Sequence, residues 1–273
     1  MPAERLPVER TRFLRPSALT GVEALHATFL AHRYVPHVHD SLTVAYVDRG
    51  AATFELQGTR HVASAGSTFV IPPQSVHTGE SATAAGYTYR VLYVDPAALA
   101  ARAEQEITPA ALSRVPTVLR RSELAIALQR MHATLVLDGR SLERGEALAA
   151  VATMLAPLFG TTEAHMPHVG HPAVRRARDY IHERWRHDFS LEELAAAAAL
   201  SPFHLARLFR AEVGMPPSSY RRALRVQAAQ RLLRAGEGLA AVAVQCGFYD
   251  QAHLNRHFKR VVGVTPGQYA TAS

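Results

Sequence analysis

The feature that most constrains this 273-residue chain is a repeat near its end. His204-Leu205-Ala206-Arg207-Leu208-Phe209-Arg210 returns 49 residues later as His253-Leu254-Asn255-Arg256-His257-Phe258-Lys259, and Val213-Gly214, Pro217 and Tyr220 return as Val262-Gly263, Pro266 and Tyr269. Eight of these seventeen positions are identical at one constant offset. Two copies are too few for a solenoid, which needs at least about three units to bury a continuous core. The repeat therefore specifies two copies of one small helical unit.

Each copy reads as helix, tight turn, helix. The first runs Leu191–Ala198 and Pro202–Val213, the second Leu239–Gln245 and Gln251–Val262, with a turn at Gly247-Phe248. The punctuation agrees: Ser190 with Glu193 forms a capping box, Ser201 and Asp250 are caps, Pro202 opens a helix and Gly214 closes it. Upstream, Val174, Ala177, Ile181 and Trp185 make one further amphipathic stripe. In the second helix of copy one, Leu205, Leu208, Phe209 and Val213 share the face to be buried, and Phe203, Ala206, Arg207 and Arg210 share the opposite face. Copy two puts Leu254, Phe258 and Val262 inward and Ala252, Asn255, Arg256 and Lys259 outward. Arg can bridge guanine O6 and N7, and Asn adenine N6 and N7, so these outward stripes suit base edges. A single stripe of this kind would read as a solvated helix face; its duplication favours DNA.

Charge points the same way. Residues 171–273 hold 15 Arg plus Lys against 8 Asp plus Glu, whereas residues 1–170 hold 15 of each, so the whole formal excess of +7 lies in the repeat-bearing part. Phosphate neutralisation by such a module supplies most non-specific DNA affinity. No apolar run approaches the roughly 18 residues of a membrane span, and the charged start does not read as a signal peptide, so the expectation is a cytoplasmic protein without a membrane partner. A single cysteine, Cys246, excludes an internal disulfide and reads as a packed helix residue.

Before the repeat the pattern is different. Leu42–Val47, Thr53–Leu56, Thr68–Ile71 and Tyr87–Val94 read as short strands separated by Arg49-Gly50, Gln57-Gly58, Ala65-Gly66 and Pro72-Pro73, as in a small barrel or sandwich. Helical periodicity follows, with Leu124, Leu128, Met131 and Leu135 on one helix and a second run from Leu142 to Phe159. These helices could dock on the barrel or on a second copy. The expected organisation is α+β with two domains: residues 1–160 a β-barrel followed by helices, 161–172 a linker, and 173–273 an all-α domain with two helix-turn-helix units.

The stretch Val174–Tyr269 resembles the AraC/XylS family of bacterial transcription regulators, most specifically in Ala243-Val244-Gln245-Cys246-Gly247-Phe248-Tyr249-Asp250-Gln251-Ala252-His253-Leu254-Asn255-Arg256-His257-Phe258-Lys259 followed by Gly263-Val264-Thr265-Pro266. That resemblance implies two helix-turn-helix units joined by a long helix, here about Pro217–Arg234, with both recognition helices entering successive major grooves. About 18 residues at roughly 1.5 Å span ~27 Å, which with flanking turns approaches the ~34 Å of one duplex turn. It places base contacts on Phe203, Ala206 and Arg207 in the first unit and on Gln251, Ala252, Asn255 and Arg256 in the second. Ala206 stands where a polar reader is often found, so readout by the first unit rests mostly on Arg207.

Upstream, His37-Val38-His39 and Gly66-Ser67-Thr68-Phe69-Val70-Ile71-Pro72-Pro73-Gln74-Ser75-Val76-His77 resemble the two cupin motifs. The carboxylate those motifs carry after the histidine pair falls here on Thr43 or Val44, and Gln74 replaces the usual glycine. Three histidines can bind a metal, line an effector pocket or be structural; without the carboxylate the pocket lining is preferred, with no metal and no cofactor. The expected effector site is His37, His39, Tyr46, His77 and Tyr93, and Phe54, Tyr87 and Tyr89 are further aromatics for its walls or for plain core. The resemblance implies a barrel that binds a small molecule and mediates a homodimer. The resulting expectation is a DNA-binding regulator without catalysis, with double-stranded DNA, an effector, a second copy and RNA polymerase as partners. The competing reading is a cupin metalloenzyme with a nucleic-acid-binding tail. A DNA-repair methyl acceptor is excluded by the lack of any cysteine upstream of the helix-turn-helix.

Overall fold

The computed structural model describes residues 8–17, 19–103, 107–112, 115–120, 122–136, 141–159 and 170–272. Its first part is built on β1 (Arg10–Leu14), β2 (Val22–Phe29), β3 (Tyr34–His37), β4 (Leu42–Leu56), β5 (Thr59–Ser64), β6 (Thr68–Ile71), β7 (His77–Ser81) and β8 (Tyr87–Val94). Then come α1 (Pro96–Ala103), α2 (Pro109–Leu112), the two-residue β9 (Val118–Leu119), α3 (Ser122–Val136) and α4 (Ser141–Leu155). One path of the sheet runs β1-β2-β8-β4-β6-β9, and β4 carries the chain over to β5 and β7, with β3 beside β7.

The long β4 replaces the two strands expected on either side of Arg49-Gly50. Its first half pairs with β6 and β8 and its second with β5 and β7, and its ladder to β8 slips between Val47 and Arg49. Gly50, at φ 70°, bends the strand without ending it, and a Cβ there would overlap the carbonyl oxygen of Gly86. The sequence reading also began the barrel at Tyr34; β1 and β2 precede it and extend the sheet by two antiparallel ladders.

Strand alternation divides the barrel's side chains into two sets. Leu42, Val44, Leu92 and Val94 face outward and meet Leu124, Leu128, Met131 and Leu135 of α3 and Leu148, Val151 and Leu155 of α4 in one apolar cluster. The stripes foreseen on these helices are thus absorbed largely by the barrel and by each other. Ala45, Val47, Tyr87, Tyr89 and Val91 belong to a second, inner cluster.

The helical part comprises α5 (Pro172–Arg184), α6 (Leu191–Ala198), α7 (Pro202–Val213), α8 (Pro217–Arg234), α9 (Leu239–Gln245), α10 (Gln251–Val262) and α11 (Pro266–Ala270). The caps are those the sequence calls for: Ser190 and Glu193 close a capping box, Ser201 accepts from the His204 amide, Asp250 accepts from the His253 amide, and Gly214 and Gly263 end α7 and α10 in the left-handed conformation. Cys246 is fully buried, and burial raises its thiol to about 11. Most of the linker expected over 161–172 lies outside the described residues, and Pro172 already opens α5.

Candidate DNA-reading face and effector cavity

α7 and α10 present the faces that the repeat assigns to them. Leu205, Phe209, Leu254 and Phe258 are fully buried, while Arg207, Arg210, Gln251, Ala252, Asn255, Arg256 and Lys259 are exposed and Phe203 is 79% exposed. Ala206 is half-buried. Apart from Ala206, the DNA-facing candidates are therefore exposed among the described residues.

Between the units runs α8, buried on almost every side. Arg225 on this helix, with only 7% of its side chain exposed, donates from Nε to the Trp185 carbonyl at 2.8 Å and from Nη2 to the Arg186 and His187 carbonyls behind the first unit. Its Nη1 donates to the Gly247 carbonyl in the turn of the second unit at 2.5 Å. One guanidinium thus ties the backbones of both units, a task suited to its fixed fork of donors. The sequence reading treated this helix only as a spacer and missed Arg225, which with Gln227 is a polar residue in a mostly apolar buried run.

The inner face of the barrel encloses a cavity of about 600 Å³. His37, His39, Thr43, Ala52, Phe69, His77, Tyr89 and Tyr93 line it from the barrel, and Gln227, Gln230, Arg231 and Arg234 close it from α8. Four of the five expected effector residues, His37, His39, His77 and Tyr93, meet there. Tyr46 does not: it lies in the same register as Leu42 and Val44, one residue out of step with Thr43, and packs in the outer cluster against the helices. The α8 residues were likewise missed, because their place on the cavity depends on how the two parts dock.

The histidines are held in one tautomer. Nδ1 of His37 donates to the Val35 carbonyl at 2.8 Å, Nδ1 of His39 to the Ser41 carbonyl at 2.8 Å, and Nδ1 of His77 to the Ser75 carbonyl at 2.9 Å. A carbonyl can only accept, so each Nδ1 carries the proton and each Nε2 presents a lone pair. Burial, aided by the neighbouring imidazoles for His37 and His77, lowers His37 to about 3 and His77 well below its usual value; burial lowers His39 to about 4. All three rings are neutral near pH 7. Gln74, at the position of the missing glycine, takes the left-handed φ of 57° that glycine would have provided, and its amide donates to the His39 carbonyl.

A polar seam joins the barrel to the helices at the cavity's edge. Tyr269 Oη donates to Glu23 Oε1 at 2.6 Å, and Arg234 Nε lies 2.9 Å from the same oxygen. Deeper in, Gln227 Nε2 donates to the Val38 carbonyl at 3.2 Å.

Comparison with known proteins agrees with both halves. The model of the AraC-like ligand binding domain matches residues 19–156, half of the chain, and that of a helix-turn-helix domain matches residues 194–272. The HTH-type transcriptional regulator YbfI of Bacillus subtilis is 26% identical over 89% of this chain and 90% of its own length. The regulatory protein Ada of Salmonella typhimurium is 39% identical, over 29% of this chain and 23% of its own length. Among solved structures, ToxT from Vibrio cholerae in an apo variant form covers 92% of this chain and 97% of its own at a TM-score of 0.57 and 12% identity, a likeness of fold. The chain belongs to the AraC family: it is a DNA-binding transcriptional regulator with an N-terminal ligand-binding domain and a C-terminal helix-turn-helix domain.

Proposed function

We propose that an effector bound in the cavity acts on DNA binding by direct contact with α8, without catalysis. The observation that carries this reading is that the cavity's walls come from both parts of the chain: a ligand reaching His37, Thr43 or Tyr93 is also within reach of Gln227, Arg231 and Arg234. A ligand shifts DNA affinity only by its differential affinity for two arrangements of the protein, with couplings typically of about 1–3 kcal/mol. In this reading the two arrangements differ at α8, which is at once cavity wall and spacer between the two helix-turn-helix units. In this reading Arg207, Asn255 and Arg256, flanked by Phe203, Ala206, Gln251 and Ala252, read bases, while Arg210 and Lys259 strengthen the contact through charge.

The protein acts as a homodimer in this reading, because Ile126 on α3 and Leu142 on α4 remain exposed after the helices have packed on the barrel, and RNA polymerase is its further partner. Equilibrium sedimentation of the wild type and of an Ile126→Glu, Leu142→Glu variant tests the dimer; an unchanged association state in the variant removes those helices from the interface.

The main test uses Ala52→Trp, which fills the cavity from a strand away from the reading face. Small molecules that raise the thermal midpoint of the full-length wild type should also change its operator affinity, and Ala52→Trp should lose both effects. A molecule that binds in the cavity and leaves DNA affinity unchanged defeats the proposal, since linkage requires reciprocity.

A further inference from the structure

The repeat gives each unit a tyrosine just after its reading helix, Tyr220 at the start of α8 and Tyr269 in α11, and both are buried. Each meets the ring of a phenylalanine from that helix edge-on: Phe209 and Tyr220 stand 5.8 Å apart, Phe258 and Tyr269 5.3 Å. What else surrounds the two tyrosines is not repeated. In the first unit both further neighbours come from α5. The Arg178 guanidinium lies over the Tyr220 ring at 5.7 Å, and His182 Nε2 hydrogen-bonds its hydroxyl at 2.9 Å. Carried forward by the same 49 residues, α5 falls on α8, and Arg178 and His182 become Gln227 and Arg231. Those two side chains turn to the barrel instead, Gln227 to the Val38 carbonyl and Arg231 to within 3.8 Å of Asp40. The barrel supplies the substitutes. Arg15 lies over the Tyr269 ring at 4.8 Å and donates to the Tyr269 carbonyl, while Glu23 Oε1 accepts from the Tyr269 hydroxyl at 2.6 Å.

We propose that Glu23 on the barrel, with Arg15, is a positioning residue for the second reading helix: the barrel completes the second helix-turn-helix unit as α5 completes the first. The inference rests on the assignment of the outward face of α10 to DNA, and it needs no occupant of the cavity. Glu23 is suited to the task. Its side chain is only 13% exposed, and its carboxylate is held by Tyr269 and by Arg234 Nε at 2.9 Å, with Arg15 Nε 3.7 Å away. Hydrogen bonds to a charged acceptor are roughly twice as strong as neutral ones. Burial, with Glu23 alongside, raises the Tyr269 hydroxyl well above its usual value, so it remains a donor to that carboxylate. Tyr269 in turn packs on Phe258, whose helix carries Asn255 and Arg256 on its opposite face. A bidentate contact with a base edge depends on fixed geometry. Losing the grip on Tyr269 therefore loosens α10 and blurs what it reads.

The experiment uses the full-length chain and two readouts. Amide hydrogen exchange without DNA should show Glu23→Gln and Tyr269→Phe each lowering protection in α10 and α11 by about tenfold, the scale of one hydrogen bond to a charged group, while α6 and α7 keep theirs. Tyr220→Phe, the matching change in the first unit, should lower protection in α7 and spare α10. The double variant Glu23→Gln, Tyr269→Phe should lose less than the product of the two single losses, since both remove one interaction. In a DNA-selection experiment Glu23→Gln should relax the base positions that Asn255→Ala and Arg256→Ala relax, and none that Arg207→Ala relaxes. A general loss of stability would spread over both units. Even loss of protection in the two units, or none, overturns the proposal, as does relaxation at the first unit's bases or an unchanged preference. If Asn255→Ala and Arg256→Ala themselves relax nothing, the reading-face assignment falls, and the exchange result alone decides the role of Glu23. Tyr269→Phe, which removes a single hydroxyl, keeps the test decisive should Glu23→Gln fold poorly.

Discussion

The two helix-turn-helix units share a sequence pattern and a set of caps, yet they stand in different relations to the barrel. The first unit builds its own core from Leu194, Leu205, Phe209 and Tyr220, to which the barrel adds little beyond Val38 and Val76. The second has no such independence: Leu254, Phe258, Val262 and Tyr269 fall in one continuous cluster with Phe13, Phe29, Tyr34 and Tyr89 from the inner face of the barrel. Their reading faces differ in the same sense. Copy one offers Phe203, Ala206 and Arg207 where copy two offers Ala252, Asn255 and Arg256. The copy whose outward face carries the more varied side chains is thus the one that packs against the barrel and its cavity.

The strongest test of this contrast is to remove what the units have in common. Arg225→Met would leave the carbonyls of Trp185 and Gly247 without their charged donor in a buried setting, at a cost of about 3 kcal/mol or more. Urea denaturation should show that loss, and DNA affinity should fall even where the protein remains folded. A change below about 1 kcal/mol with operator binding intact would mean that packing alone fixes the two units. Next in size are the readers. Arg256→Ala and Arg207→Ala should each cost about 1–3 kcal/mol in specific binding and relax one base position, with Asn255→Ala adding a further relaxed position that no substitution in the first unit can match. A selection experiment checks this; an unchanged sequence preference with only a shallower salt dependence would make that arginine a phosphate contact.

How far the sequence carried depended on how local each feature was. Caps, turns and stripes involve residues a few positions apart, and so the boundaries of α7 and α10, the Gly214 stop and the inward and outward faces could be read directly, whereas those of α8 came from the family resemblance. Tyr46 was misplaced although its strand was recognised, because parity along a strand settles facing: with Thr43 inward, Tyr46 must point outward. Gly50 resembles a turn in any local reading, and only the two different ladders on either side of it reveal one bent strand. The α8 wall of the cavity was beyond local reading altogether. Gln227 and Arg231 acquire their meaning from contact with residues nearly two hundred positions away.

A smaller effect isolates the barrel's grip on the second unit. Gly214 and Gly263 end equivalent helices at φ +84° and +85°, so an alanine at either meets the same backbone cost, about 1 kcal/mol. Their surroundings differ. A Cβ on Gly214 would lie 3.3 Å from Val76, whereas one on Gly263 would overlap the hydroxyl of Tyr34, which itself hydrogen-bonds Tyr89 at 2.8 Å inside the barrel. Gly263→Ala should therefore destabilise the protein more than Gly214→Ala and alter effector affinity as well. Equal costs, with effector binding unaffected in both, would show that Tyr34 yields freely and that the second unit is no more closely coupled than the first.

The smallest expected effect concerns protons. Position 208 of the first unit is Leu, and its counterpart in the second is His257, half-buried between Phe248 and His253. Burial, with the nearby His253, Arg222, Arg260 and Arg256, lowers this imidazole from 6.5 to about 4. A base whose folded value is depressed binds fewer protons folded than unfolded, so its contribution is fully present above pH 6.5 and is lost as pH falls from there toward 4. Because the ring is only half-buried, solvent screening reduces the loss to a few tenths of a kcal/mol and at most about 1 kcal/mol between pH 7 and pH 5. Amide hydrogen exchange should accordingly show α10 losing protection over that interval while α7 keeps its own. His257→Leu, which gives the second unit the residue of the first, should flatten the difference. If α10 remains equally acid-sensitive in that variant, the sensitivity lies elsewhere, and His257 is no part of what sets the second unit apart.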